Sequence, residues 1–237
     1  SINELETSTF NLMLRYAPHE KFYQGKTYRT PMLNEYPIMW MRYEFSKKDF
    51  LKSDYSYHTL TANIFKRAFL APIGYSDIEV EAGKIFGKVP YPLLEIHRAN
   101  QTFSYQLQSY NLMNFLEFVS DEYVSVNFTH YFNGFFFNKI PLFKRLKWRE
   151  VATFKLLYGR ITDQNDPDKN PDLFRLPTNP DGSQITYSLE ARPYMEASVG
   201  ITNIFKLIRI DLIKRLSYLE HQSVSEFGIR ARAKLDF

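Results

Sequence analysis

The end of the chain constrains the fold most. Over Glu226 to Phe237, the side chains of Phe227, Ile229, Ala231, Ala233, Leu235 and Phe237 fall on one side of an extended backbone. Glu226, Gly228, Arg230, Arg232, Lys234 and Asp236 fall on the other, because strand side chains alternate with period two. A helix would scatter both sets round its axis. The stretch is about as long as a tilted strand needs to cross a bilayer, and it stops on Phe237. One such strand is equally at home half-buried in a soluble sheet, so the weight rests on whether the pattern recurs.

It recurs along most of the 237 residues. Phe10, Leu12, Leu14 and Tyr16 oppose Thr9, Asn11, Met13 and Arg15; after a loop from Pro18 to Tyr36, Met39, Met41, Tyr43 and Phe45 oppose Ile38, Trp40, Arg42 and Glu44. Further segments set Leu60, Ala62 and Ile64 against Thr59, Thr61 and Asn63, and Ile78, Val80 and Ala82 against Glu79, Glu81 and Gly83. Val124, Val126 and Phe128 then oppose Tyr123, Ser125, Asn127 and Thr129, and Ala152, Phe154, Leu156 and Tyr158 oppose Thr153, Lys155 and Leu157. The longest run, from Ile185 to Ile201, puts Tyr187, Leu189, Ala191, Met195, Ala197 and Val199 on one side, and a tight turn at Thr202-Asn203 leads into Ile204 to Arg215. About nine strands follow from this. No helix-strand alternation and no domain boundary interrupt them, so the expected fold is all-β, one antiparallel meander.

Two stretches lack the rhythm. Residues 88–119 form a long aperiodic connection, read either as a lumen-filling functional loop or as a surface loop with a short helix. Residues 161–184 are rich in Asp, Asn and Pro and read as an exposed loop. Asp163, Asp166, Asp168 and Asp172 fit no calcium-loop spacing. Strand parity puts both stretches on the outer rim, if Phe237 lies on the periplasmic side.

Composition decides which face is wet. The chain is 44% hydrophobic, with 21 Phe and 17 Tyr, yet its mean hydropathy is -0.37 and no run is long enough for a transmembrane helix. A membrane barrel needs this combination, since half of each strand faces lipid and half a polar lumen. The charges of the polar face are of mixed sign and interspersed with Ser, Thr and Asn, which a wet lumen tolerates. The reading is a transmembrane β-barrel, in an outer membrane of a Gram-negative bacterium, with residues 1–237 as the C-terminal portion of a larger barrel, because single-chain bacterial barrels have even strand numbers. The opening Ser-Ile-Asn-Glu-Leu-Glu shows no signal-peptide pattern, which predicts a mature or truncated form.

Other classes find little support. There is no cysteine, hence no disulfide or thiolate metal site. A net charge of +4 with interspersed acids gives no nucleic-acid patch. No nucleophile elbow, zinc helix or phosphate loop occurs, and His19, His58, His97, His130 and His221 are scattered, so neither a catalytic role nor a cofactor is expected.

From Asn100 onward the chain resembles the C-terminal barrel of the bacterial surface antigen superfamily, the barrels of outer-membrane assembly and two-partner secretion factors. The resemblance is to a branch in which the barrel follows a carboxypeptidase-regulatory-like domain. It is carried by Asn100-Gln101-Thr102-Phe103-Ser104-Tyr105, Tyr110-Asn111-Leu112-Met113-Asn114, Phe118-Val119-Ser120-Asp121-Glu122-Tyr123, Phe132-Asn133-Gly134, Asn138-Lys139-Ile140-Pro141-Leu142 and Pro193 to Phe205 with the terminal-Phe strand. The superfamily's Arg-Gly-Phe/Tyr lumenal motif is absent. The resemblance implies assembly or translocation of outer-membrane or surface proteins, with outer-membrane lipid and other outer-membrane proteins or lipoproteins as partners. On that reading Gln101, Phe103 and Tyr105 belong to a lumenal loop, and Gly228, Leu235 and Phe237 to a closing strand that forms one side of a weakly paired seam. The same strand could simply close the barrel, and the same wall could serve a passive pore.

Overall fold

A computed structural model describes residues 4–32, 34–189 and 192–233. The protein is all-β, and nine strands make one sheet: β1 (Phe10–Tyr16), β2 (Ile38–Ser46), β3 (Tyr57–Phe69), β4 (Tyr75–Phe86), β5 (Glu122–Tyr131), β6 (Arg149–Arg160), β7 (Tyr194–Ile204), β8 (Ile208–Arg215) and β9 (Phe227–Ala233). Each pairs antiparallel with the next in sequence, an uninterrupted meander. Among the described residues β1 and β9 do not pair, so the sheet has two edges and is not closed. It is strongly curled all the same. Ile38 and Trp40 of β2 line one cleft with Arg232 and Ala233 of β9, so the two ends of the sheet face each other. Among the described residues no helix is long and apolar enough to cross a membrane.

The polarity of this wall is inverted. Its outward residues are apolar and exposed, Val199 at 63% and Ile229 at 67%, with Met41, Leu60, Ile64, Val80, Ile210 and Leu212 in the same condition. Its inward residues are polar and buried: Thr61, Asn63, Thr153, Lys155, Glu196, Ser198, Arg209, Asp211 and Arg215. A soluble sheet places these classes the other way round.

Three sequence expectations change. The long run from Ile185 does not enter the sheet until Tyr194. Tyr187 instead bridges Phe118, and Leu189 is fully buried, so neither belongs to the outward face; Glu190 and Ala191 lie outside the described residues. The turn after β7 is at Phe205 to Leu207, because a bulge between Ile201 and Ile204 carries the strand past Thr202-Asn203. The Pro18–Tyr36 loop contains a small hairpin, Phe22–Gln24 with Arg29–Pro31.

Where the long aperiodic connection lies, left open between two readings in the sequence, matters most. Residues 88–119 start and end at one rim but fold back onto the polar face, with a short turn at Tyr91–Leu93 and a two-residue ladder between Glu95–Ile96 and Val119–Ser120. Tyr105, Tyr110, Leu112, Met113 and Phe118 of this plug are buried, and the cluster of Tyr110, Met113 and Phe118 with Tyr123, Leu157, Leu189 and Tyr194 is the core. The plug adds apolar residues to those the inward face supplies, among them Tyr123, Leu157 and Tyr194.

Candidate functional site

The plug has almost no regular structure, so its backbone polar groups need partners. The wall's charges provide them. Glu196 of β7 accepts the Asn111 N–H on both carboxylate oxygens at 2.9 Å and the Leu112 N–H at 3.1 Å. Lys155 of β6 donates to the carbonyls of Gln106 at 2.8 Å and Ser109 at 2.5 Å. Lys155 and Glu196 stand 3.8 Å apart, so the wall's anion takes plug amides and its cation takes plug carbonyls. Asn127 of β5 adds a bond to the Leu107 carbonyl.

A second anchor lies where the plug returns to the wall. Arg215 of β8 grips Glu117 of the plug with both terminal nitrogens, at 2.5 and 2.9 Å. It also donates to the carbonyls of Leu112, Ser217 and Tyr218. His221 completes the group, with Nδ1 2.7 Å from Glu117 and its ring stacked on Tyr187. Sequence parity could have supplied Arg215, two steps on from the inward Arg209 and Asp211 by way of Ile213. Nothing periodic points to Glu117.

The residues singled out in the loop and the closing strand meet. The Phe103 carbonyl accepts the Ala231 N–H of β9 at 3.2 Å, and the Tyr105 N–H donates to the Ala231 carbonyl at 2.9 Å, a parallel bridge centred on Ser104 and Ala231. Phe103 itself is 89% exposed, whereas the Tyr105 ring is buried beneath Arg209 and Lys155. Burial pushes the Tyr105 hydroxyl above the usual tyrosine range. Gln101 reaches back to the Met113 carbonyl. At Gly228 a Cβ would stand 2.6 Å from Leu112, so glycine there lets the plug lie on β9. Leu235 and Phe237 lie outside the described residues.

A cavity of about 170 Å³ remains between plug and wall, lined by Trp40, Asn63, Glu79, Glu81, Glu95 and Tyr123 among others. Burial, and then Glu81, raises Glu95 above the usual carboxylate range. Beside it, burial drives His97 down to about 3, leaving a neutral ring bonded through Nε2 to the Ser120 hydroxyl at 2.7 Å. A larger cleft of about 790 Å³ lies between β2 and β9. Among the described residues no three His, Cys, Asp or Glu are grouped to hold a metal. This chemistry holds extended backbone inside a charged wall.

Residues 1–165 match a family of unknown function, the DUF5686 C-terminal domain. The chain belongs to that family. No curated protein matches it. The DUF5686 match takes in β1 to β6 and the whole plug, while Glu196, Arg215 and Ala231, which hold the plug from β7, β8 and β9, lie beyond it. The family description assigns no activity, so the likeness to barrel-assembly factors still rests on the motifs quoted above.

Proposed function

We propose that this DUF5686 chain is part of an outer-membrane β-barrel that takes part in assembling or translocating outer-membrane or surface proteins. One observation carries the membrane reading: an exposed apolar outer surface is joined strand by strand to a buried charged inner one. In water such a surface, continuous over nine strands, would be a severe aggregation liability. In a bilayer it is the lipid-facing belt, and the curled meander supplies the backbone pairing that lipid demands. In this reading the barrel stays open at the outer edge of β9.

Two features favour assembly over passive conduction. The plug fills the inward face with anchored side chains, and among the described residues the sheet has two unpaired edges, which recruit further strands. The pore reading draws on the cleft of about 790 Å³. Depletion of the full-length protein in its native host, with quantitative proteomics of the outer membrane, separates the two. Broad loss of other barrel or surface proteins is the expected result. An unchanged outer-membrane proteome, together with steady ion conductance of the purified protein in planar bilayers, would replace it with the pore.

A further inference from the structure

The outer edge of β9 is already in use at one point. Residues 227, 229, 231 and 233 turn their backbone groups away from β8, since alternate residues of a strand address opposite neighbours. Ala231 spends both of its groups on Phe103 and Tyr105. Phe227 and Ile229, on the same edge, have no strand beside them among the described residues. A permanent wall strand at this edge would need the Ala231 groups that the plug holds. Whatever pairs here must first displace Phe103–Tyr105.

Displacement at this point breaks little backbone pairing and leaves the buried Tyr105 ring packed against Leu112 and Ile213. The cap makes two backbone hydrogen bonds to β9, each contributing about 1 kcal/mol net. The remainder of the plug is tied down by buried charges at Lys155, Glu196 and Arg215. The backbone of Phe103 and Ser104 could lift off β9 while the Tyr105 ring stays seated with Leu112 and Ile213.

The inward side of β9 states what it lacks. Arg232 stands directly opposite Arg209 of β8, and like charges opposite one another destabilise a sheet. Arg209 is committed to Asp211 at 2.6 and 2.7 Å. Arg230 faces that same occupied Asp211, and its buried Nε has no hydrogen-bond partner. Among the described residues Arg230 and Arg232 form no ion pair, and Arg230 donates only to the carbonyls of Asn111 in the plug and of Ile229, both at 3.2 Å. β1 would not supply one, because its inward residues are Asn11, Met13 and Arg15.

We propose that the outer edge of β9 accepts an extended segment of another protein, apolar towards lipid and acidic towards Arg230 and Arg232, and that Phe103–Tyr105 is the cap this segment displaces. The inference rests on the membrane reading above. A strand running along β9 exchanges the cap's two bonds for a full ladder, and its acids neutralise the arginine pair.

The 237 residues contain no cysteine, and the double variant Ser104→Cys/Ala231→Cys places a thiol pair at bridged positions, within reach of a disulfide. The full-length protein is integrated into zwitterionic phosphatidylcholine vesicles, which attract neither peptide by charge. Two fluorescent peptides of about nine residues, one alternating Leu with Glu and the other Leu with Lys, are titrated by anisotropy. The Glu peptide is expected to bind and the Lys peptide to bind about tenfold or more weakly. Oxidation of the double variant should abolish binding, and reduction of the same sample should restore it. Equal binding to the oxidised and reduced forms would overturn the cap, and equal binding of the two peptides would overturn the acidic partner. Failure of the protein to integrate into the vesicles would overturn the membrane reading and this inference with it.

Discussion

Arg215 and Glu117, 98 positions apart, meet in a fully buried two-point ion pair, 2.5 and 2.9 Å long, that ties the plug to β8. Removing one partner leaves the other buried and uncompensated, at a cost of about 3–5 kcal/mol. Arg215→Met is expected to free residues 88–119 for protease cleavage while the wall resists, and to raise conductance in planar bilayers. Adding Glu117→Leu should restore most of the protection, since the orphaned charge is then gone. A double variant as open as the single one would mean that the pair does not seat the plug.

Val199, at the middle of β7, tests the outward face. It stands between Ala152 of β6 and Leu212 of β8 and is 63% exposed. On a lipid-facing wall Val199→Arg should cost about 2–4 kcal/mol near the bilayer midplane. On a water-facing wall a surface substitution stays within about 0.5 kcal/mol. Urea titration of the vesicle-embedded protein, followed by the mobility shift of the folded band, separates these values.

Much of the wall was readable because its two faces differ so strongly in polarity that parity survives without knowledge of the partner strands. Period alone does not name the neighbour. Tyr187 and Leu189 keep perfect step with Met195 and Val199, yet they pack on Phe118 inside the plug. The plug's length marked it as unusual, but nothing local told which side of the wall it occupies. The backbone requirements of residues 106–112, met by Lys155 and Glu196, settle that only once strands far apart in sequence are brought together. Glu117 was invisible for the same reason: an acid in an apolar stretch becomes an anchor only when Arg215 arrives from β8.

His97 gives the plug a defined acid sensitivity. Its folded value of about 3 lies below the ordinary 6.5, with burial as the cause. Between these values the unfolded ring binds a proton that the folded one refuses. The stability it contributes is therefore present above about pH 6.5 and is lost as pH falls towards 3. The full loss is on the order of 5 kcal/mol. Hydrogen exchange at Val119 and Ser120 should accelerate as pH falls through this window, after correction for the intrinsic rate. In His97→Gln, which keeps an amide near the Ser120 hydroxyl, the acceleration should largely disappear. An unchanged profile in that variant would assign the acid sensitivity to another group.

Tyr123 of β5 stands between two glycines, Gly83 of β4 and Gly159 of β6, its registered partners. A Cβ on Gly83 would fall 2.4 Å from the Tyr123 ring, and the hydroxyl of that ring bonds Glu81 at 3.0 Å beside the acidic cavity. Gly83→Ala should therefore push the ring off the wall and into the space occupied by His97, which meets its edge at 5.0 Å. Overpacking of this kind costs about 1–3 kcal/mol. In a Tyr123→Ala background the same substitution meets nothing of comparable bulk and should cost much less, so the two changes should couple strongly in a double-mutant cycle. Urea midpoints of the four proteins in vesicles measure the coupling. Additive effects would mean that the glycine answers a backbone requirement of β4 and not the ring across from it.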